Sequence, residues 1–249
     1  MGRLTGKVAI VSGASRGMGA SHARAIVAEG GQVVLGVRDE TDPRVVTLVA
    51  ELGDDARTSV LDVRSEANWQ GAVETALASF GALNVLVNNA GIVTMGSVDD
   101  YDLETWNDML AVNLTGAFLG IKACVPAMRE HGPASIINIS SAQGFAGISE
   151  LHGYTAAKYG LRGLTRSVAL ELAGSRIRCN CICPGTVATD MNEGLDVTGF
   201  NAMNRKGDTS EVSSLVVHLA SDESTFMTGA DLVVDGGELA GHAPALQSV

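Results

Sequence analysis

"KVAIVSGASRGMG", residues 7–19, runs from an apolar stretch through three glycines into a segment with helical periodicity. The continuous apolar character of residues 7–12 predicts a strand buried on both faces, as in a parallel sheet. Gly13, Gly17 and Gly19 permit a tight turn and a close approach of backbone. A helix opening at Gly17 presents unpaired N–H groups at the positive end of its dipole, which suits an anion. Glycine alone is weak evidence, since any sharp turn favours it. Its position between a strand and a helix makes Gly13, Ser15, Arg16, Gly17, Met18 and Gly19 a candidate pyrophosphate cradle.

The same alternation continues along the chain. Strands are predicted at 32–37, 57–63, 83–91, 135–141, 176–182 and 231–237, and helices at 17–29, 43–52, 102–111, 114–130, 154–173 and 209–220. Ser65 is placed to cap a further helix with Trp69, Val73, Leu77 and Phe80 on one stripe. Apolar strands separated by helices imply an α/β fold: a doubly wound, Rossmann-type, seven-stranded parallel sheet with helices on both faces. With no linker or internal repeat, residues 1–249 form one expected domain. Its nucleotide-binding half is about 1–91 and its catalytic and substrate half about 92–249.

The chain has 249 residues, 46% of them hydrophobic, and a formal net charge of −11. That charge speaks against nucleic acid and anionic membranes as partners. No apolar run long enough to span a bilayer and no signal sequence is expected. Cys179, Cys181 and Cys183 alternate in "IRCNCICPG" in the manner of a metal motif. On a strand, however, alternate residues stand about 6.5–7 Å apart, too far for a compact thiolate cage without a sharp turn. They read as small buried hydrophobes, and no metal is expected. A reducing cytoplasm is the expected compartment.

"YTAAK", residues 154–158, puts Tyr154 and Lys158 on one helical face. A lysine held charged beside a phenol favours the phenolate, giving a proton donor and acceptor usable near neutral pH. Together, "GASRGMG", "NNAG" (88–91), the Asn113 of "AVNLTG", "ISS" before "YTAAK", and "PGTVATDM" (184–191) resemble, in order, the classical short-chain dehydrogenase/reductase family. The likeness runs from about Lys7 to Gly237. Within the family, "ASHARAIVAEG", "VNLTGAFLGIKA", "SIINISS" and "LASDES" are most similar to bacterial hydroxysteroid dehydrogenases of the 3α/20β type.

The resemblance implies an NAD(P)(H)-dependent interconversion of a secondary alcohol and a ketone. Tyr154 would be the acid or base, and Lys158 would lower its pKa and hold the nicotinamide ribose. Ser141, thirteen residues before Tyr154, would bond the substrate oxygen. Ser140 competes for that role, but spacing favours Ser141. Asn113 would anchor a relay water near Lys158; a helix cap is its ordinary alternative. Asn89, Ala90 and Gly91 would lie by the adenosine ribose, and Asp62 and Val63 by the adenine, although Asp62 reads equally well as a surface aspartate. Pro184 and Gly185 would turn the chain after the sixth strand at the cofactor, where the backbone of Val187 and the hydroxyl of Thr189 would contact the carboxamide.

Gln143, Phe145, His152 and Met191 are candidate substrate contacts, with 192–208 a candidate lid. The expected substrate is a bulky steroid-like or aryl ketone or alcohol. A β-ketoacyl-type reductase and a non-catalytic dinucleotide sensor are the alternatives. A homotetramer is expected, paired through the last strand and the long helices.

The cofactor's 2′ position is read at the end of the second strand, where NAD enzymes of this fold place a carboxylate. Here that position is Val37, followed by Arg38, with Arg16 in the glycine turn. Two guanidinium groups suit a 2′-phosphate, which favours NADP(H). NAD(H) is the alternative if Asp39 reaches the ribose.

Overall fold

A computed structural model describes residues 2–241; Met1 and residues 242–249, which the single-domain expectation included, lie outside the described residues. Seven strands, β1 (Val8–Ser12), β2 (Gln32–Val37), β3 (Ala56–Val60), β4 (Val85–Asn88), β5 (Ala134–Ile139), β6 (Ile177–Pro184) and β7 (Asp231–Val234), form one sheet in the order β3-β2-β1-β4-β5-β6-β7. Every pairing is parallel. Strand order reverses between β1 and β4, which opens a crevice at the carboxyl ends of those strands.

Strand alternation divides the core between two layers. Ala9 and Val11 join Val33, Leu35, Val85 and Val87 against α1 (Gly17–Ala28), α2 (Pro43–Leu52) and α7 (Thr209–Ala220). Val8 and Ile10 join Val34, Leu86 and Ile136 on the opposite face, against α3 (Glu66–Phe80), α5 (Gly116–His131) and α6 (His152–Leu172). Ser65 caps α3 through a bond from the Asn68 N–H, and Trp69 is fully buried.

Three expectations need correction. The helices predicted at 102–111 and 114–130 are one run, in which α4 (Leu103–Leu110) continues through a wide turn at Ala111–Thr115 into α5. The wide turn keeps the backbone helical where a break was expected. The resulting run, Leu103–His131, is long and apolar enough to meet the length and composition of a membrane span, contrary to the sequence expectation. Over half of its most apolar window is buried within the fold, as befits a core helix. In addition, β3 ends at Val60, so Asp62 and Val63 stand in the following turn rather than on the strand.

Candidate active site

The crevice floor is built from β1 and β4. Gly13 and Gly17 have φ of +67° and +54°, values that side-chain-bearing residues rarely adopt. A Cβ on Gly19 would lie 2.2 Å from the carbonyl oxygen of Gly13. No side chain caps the N-terminus of α1, so its first N–H groups stay available to an anion. Ser12 locks the facing turn: its Oγ accepts from the N–H groups of Asn89 and Ala90, at 3.0 and 3.1 Å. Asn89 Nδ2 returns a bond to the Ser12 carbonyl at 2.9 Å. A glycine cradle with open helix N–H groups fits a dinucleotide.

Beneath the cleft a chain of amides ties the strands to α6. Asn88 Nδ2 donates to Asn138 Oδ1 at 2.8 Å, and Asn138 Nδ2 to Thr165 Oγ1 at 2.9 Å. Asn88 is thus a buried strand residue. Buried amide bonds of this kind rigidify what they support, although Asn88 Oδ1 has no partner among the described residues.

At the far side α6 presents Tyr154 and, one turn on, Lys158. The Lys158 side chain is buried, its Nζ lies 5.4 Å from the centre of the Tyr154 ring, and it donates to the Ile139 carbonyl at 2.9 Å. Ser140 Oγ donates to the Lys158 carbonyl at 3.0 Å, so that hydroxyl is turned into α6. Ser141 Oγ accepts from the Gln143 N–H at 3.1 Å and keeps its own proton for another acceptor.

Asn113 enters through the wide turn between α4 and α5. Its Oδ1 accepts from the Ile92 N–H, and its Nδ2 donates to the carbonyls of Ile92 and Met109. The helix-cap alternative does not describe it. Its side chain staples residues 91–92 to the helix, and it shares with Lys158 the space in front of Gly91.

Thr189 reaches across the cleft: a Cβ on Gly17 would lie 3.4 Å from its Cγ2. Val187 is buried and its carbonyl accepts from Asn192. A Cβ on Gly185 would fall 2.9 Å from Cα of Asp235, which fixes glycine after Pro184. Asp62 is held by Arg64 at 2.7 Å, and this bond pulls its pKa down to about 2. The buried Val63 accepts, through its carbonyl, from Trp69 Nε1.

Arg16 bridges the glycine turn to Asp190 at 2.9 Å, and Arg44, which the sequence reading missed, lies 3.8 Å from the same carboxylate. Its signal was its place at the start of α2, just after the strand that reads the ribose. Arg38 is exposed beyond β2, and Asp39 accepts from the N–H and hydroxyl of Thr41.

The candidate substrate residues divide. Gln143 is buried and its Nε2 donates to Glu238, a second partner the sequence did not flag. Burial, with Asp235 nearby, raises the Glu238 pKa. Met191 is exposed on the rim. One face of the Phe145 ring is covered by the Arg162 guanidinium, 3.4 Å from the ring centre. His152 packs edge-on against Tyr101, with ring centres 5.8 Å apart.

Chemically, this arrangement holds a hydroxyl donor (Ser141) and a phenol (Tyr154) near a buried ammonium, at the mouth of a dinucleotide cradle. A family model described as enoyl-(acyl carrier protein) reductase matches residues 13–238. The chain is 56% identical to a 3-alpha-(or 20-beta)-hydroxysteroid dehydrogenase of Mycobacterium bovis, covering 97% of this chain and 93% of that one. The chain belongs to the short-chain dehydrogenase/reductase family. A second member of the family, a trans-4-hydroxycyclohexanecarboxylate dehydrogenase of Sinomonas cyclohexanicum, is 47% identical over 96% of this chain and 95% of its own. Carveol dehydrogenase from Mycobacterium avium, solved in complex with NAD, superimposes with a TM-score of 0.90 at 31% identity, covering 97% of this chain and all of that one. The protein is an NAD(P)-dependent short-chain dehydrogenase/reductase that interconverts a secondary alcohol and a ketone.

The cysteines depart from expectation. Cys181 and Cys183 lie on one face of β6 with their Sγ atoms 3.9 Å apart. The strand repeat separates their Cα atoms, but the side chains lean together.

Proposed function

We propose that the protein acts on bulky cyclic secondary alcohols and their ketones, steroid-like in size, with Tyr154 exchanging the proton at the substrate oxygen. Ser141 donates to that oxygen, Lys158 stands beside the phenol ring, and Asn113 keeps the 91–92 turn in place. When bound, the nicotinamide supplies or accepts the hydride. What carries the substrate reading is the apolar rim: Met95, Val98, Ile148, Met191, Leu195, Phe200 and Met203 are all exposed on the segments flanking the catalytic groups. Two relatives named for cyclic alcohols, one a steroid dehydrogenase and one a hydroxycyclohexane dehydrogenase, support it. The test is a panel of cyclic and linear ketones and alcohols with each cofactor. Higher kcat/KM for fused-ring substrates than for small linear ones is expected; preference for short linear ketones or for acyl thioesters overturns the reading.

NADP(H) is the favoured cofactor and NAD(H) the alternative. Arg38 carries no ion pair among the described residues, Val37 offers no ribose acceptor, and one oxygen of the Asp39 carboxylate accepts twice from Thr41. Arg16 pairs with Asp190 and Arg44 with Asp42, so a 2′-phosphate would compete with these carboxylates for their guanidinium groups.

A homotetramer in the cytoplasm completes the proposal. Val212 and Val216 on α7 are covered by the chain's own core. Phe226 just before β7, Val233 on β7, and Phe118 and Leu170 on α5 and α6 remain exposed and are the candidates for pairing. Sedimentation of a monomer at micromolar concentration would contradict this.

A further inference from the structure

The chemistry above uses none of the cysteines on β6. Cys181 and Cys183 are fully buried. Parallel register sets Cys181 beside Asp231 of β7, so the carboxylate joins the same face. The two thiol sulfurs and a carboxylate oxygen all lie within 4.8 Å of one another. The Asp231 side chain is only 7% exposed. Its Oδ2 accepts from Arg162 and Arg166, while its Oδ1 has no hydrogen-bond partner among the described residues. A buried carboxylate oxygen without a donor is costly unless something else answers it.

We propose that Cys181, Cys183 and Asp231 bind one soft divalent cation of the zinc type. Two metal–sulfur bonds of about 2.3 Å at a tetrahedral angle set their sulfurs about 3.8 Å apart, which matches the separation here. Thiolate donors select such cations over magnesium or calcium. Binding releases both thiol protons. The three negative ligands are then offset by the cation together with Arg162 and Arg166. The Arg166 side chain is half-exposed and covers Asp231, so its swing opens the path inward. A disulfide is a poorer use of the pair, because the strand repeat holds the Cα atoms about 6.5–7 Å apart, at the upper end of what a disulfide spans. Arg162 also donates to the Gly144 carbonyl and stacks on Phe145, so a cation drawing on Asp231 acts on the substrate loop through one side chain.

The experiment titrates the full metal-free chain with Cd²⁺, following the ultraviolet thiolate-to-metal charge-transfer band, and with Zn²⁺ by calorimetry. One cation per chain with micromolar or tighter affinity is expected. Cys181→Ser and Cys183→Ser should each weaken it by ~100-fold or more, and Cys124→Ser should bind as the parent does. Melting curves of each variant without metal establish that it is folded. A zinc-induced rise in Tm seen in the parent should be absent in folded Cys183→Ser. No charge-transfer band at a few equivalents of Cd²⁺, or a band retained in the Cys181→Ser/Cys183→Ser double variant, would overturn the proposal.

Discussion

A Cβ on Gly91 would stand 2.8 Å from Oδ1 of Asn113, an atom already accepting from the Ile92 N–H. The turn after β4 and the wide turn of the α4–α5 run therefore fit one another only because residue 91 has no side chain. Three hydrogen bonds hold the Asn113 amide, and the side chain is buried, so it has nowhere to move. Gly91→Ala is expected to cost about 1–2 kcal/mol, the range for disturbing a buried hydrogen-bonded group. Turnover should fall by at least ~10-fold through the displaced turn. Denaturant unfolding and steady-state kinetics check both values.

Arg38 is exposed just beyond β2, and the proposed NADP(H) preference rests on it. Arg38→Ala should raise KM for NADPH by ~10-fold, on the scale of one charge-assisted hydrogen bond, and leave NADH use almost unchanged. A parent enzyme that clearly prefers NADH would point instead to Asp39, freed from Thr41.

Much of this was legible in the residues. Seven strands followed from apolar runs punctuated by glycine, because a parallel sheet buried on both faces demands them. The "YTAAK" spacing put Tyr154 and Lys158 on one face because helical periodicity is local. What escaped the sequence depended on partners far along the chain. The wide turn that aims Asn113 is set by Met109 and Ile92. The Gln143–Glu238 bond joins residues 95 apart. The Cys181–Cys183 approach turns on side-chain rotamers that strand spacing does not specify.

Burial lowers the His22 pKa to about 3, and its Nδ1 lies 2.8 Å from Ser213 Oγ on α7. The folded protein holds this imidazole neutral, whereas the unfolded chain protonates it below about pH 6.5. The unfolded state then binds more protons, so this contribution is fully present above pH 6.5 and is lost as pH falls toward 3. The loss is up to about 1.4 kcal/mol per pH unit. In folded His22→Gln the slope of stability against pH should flatten by about half a proton at pH 6.5 and by nearly one at pH 5. An unchanged slope would mean that the imidazole is solvated.

The central claim is that the Tyr154 hydroxyl carries the proton. Tyr154→Phe removes that oxygen and keeps the ring beside Lys158. Measured together, kcat with a cyclic ketone and reduced-cofactor Kd by fluorescence titration separate chemistry from binding. The account predicts a fall in kcat on the order of 10²–10⁴-fold or more, with the cofactor Kd changed less than about threefold. Near-parental kcat in a variant that binds cofactor normally would contradict it.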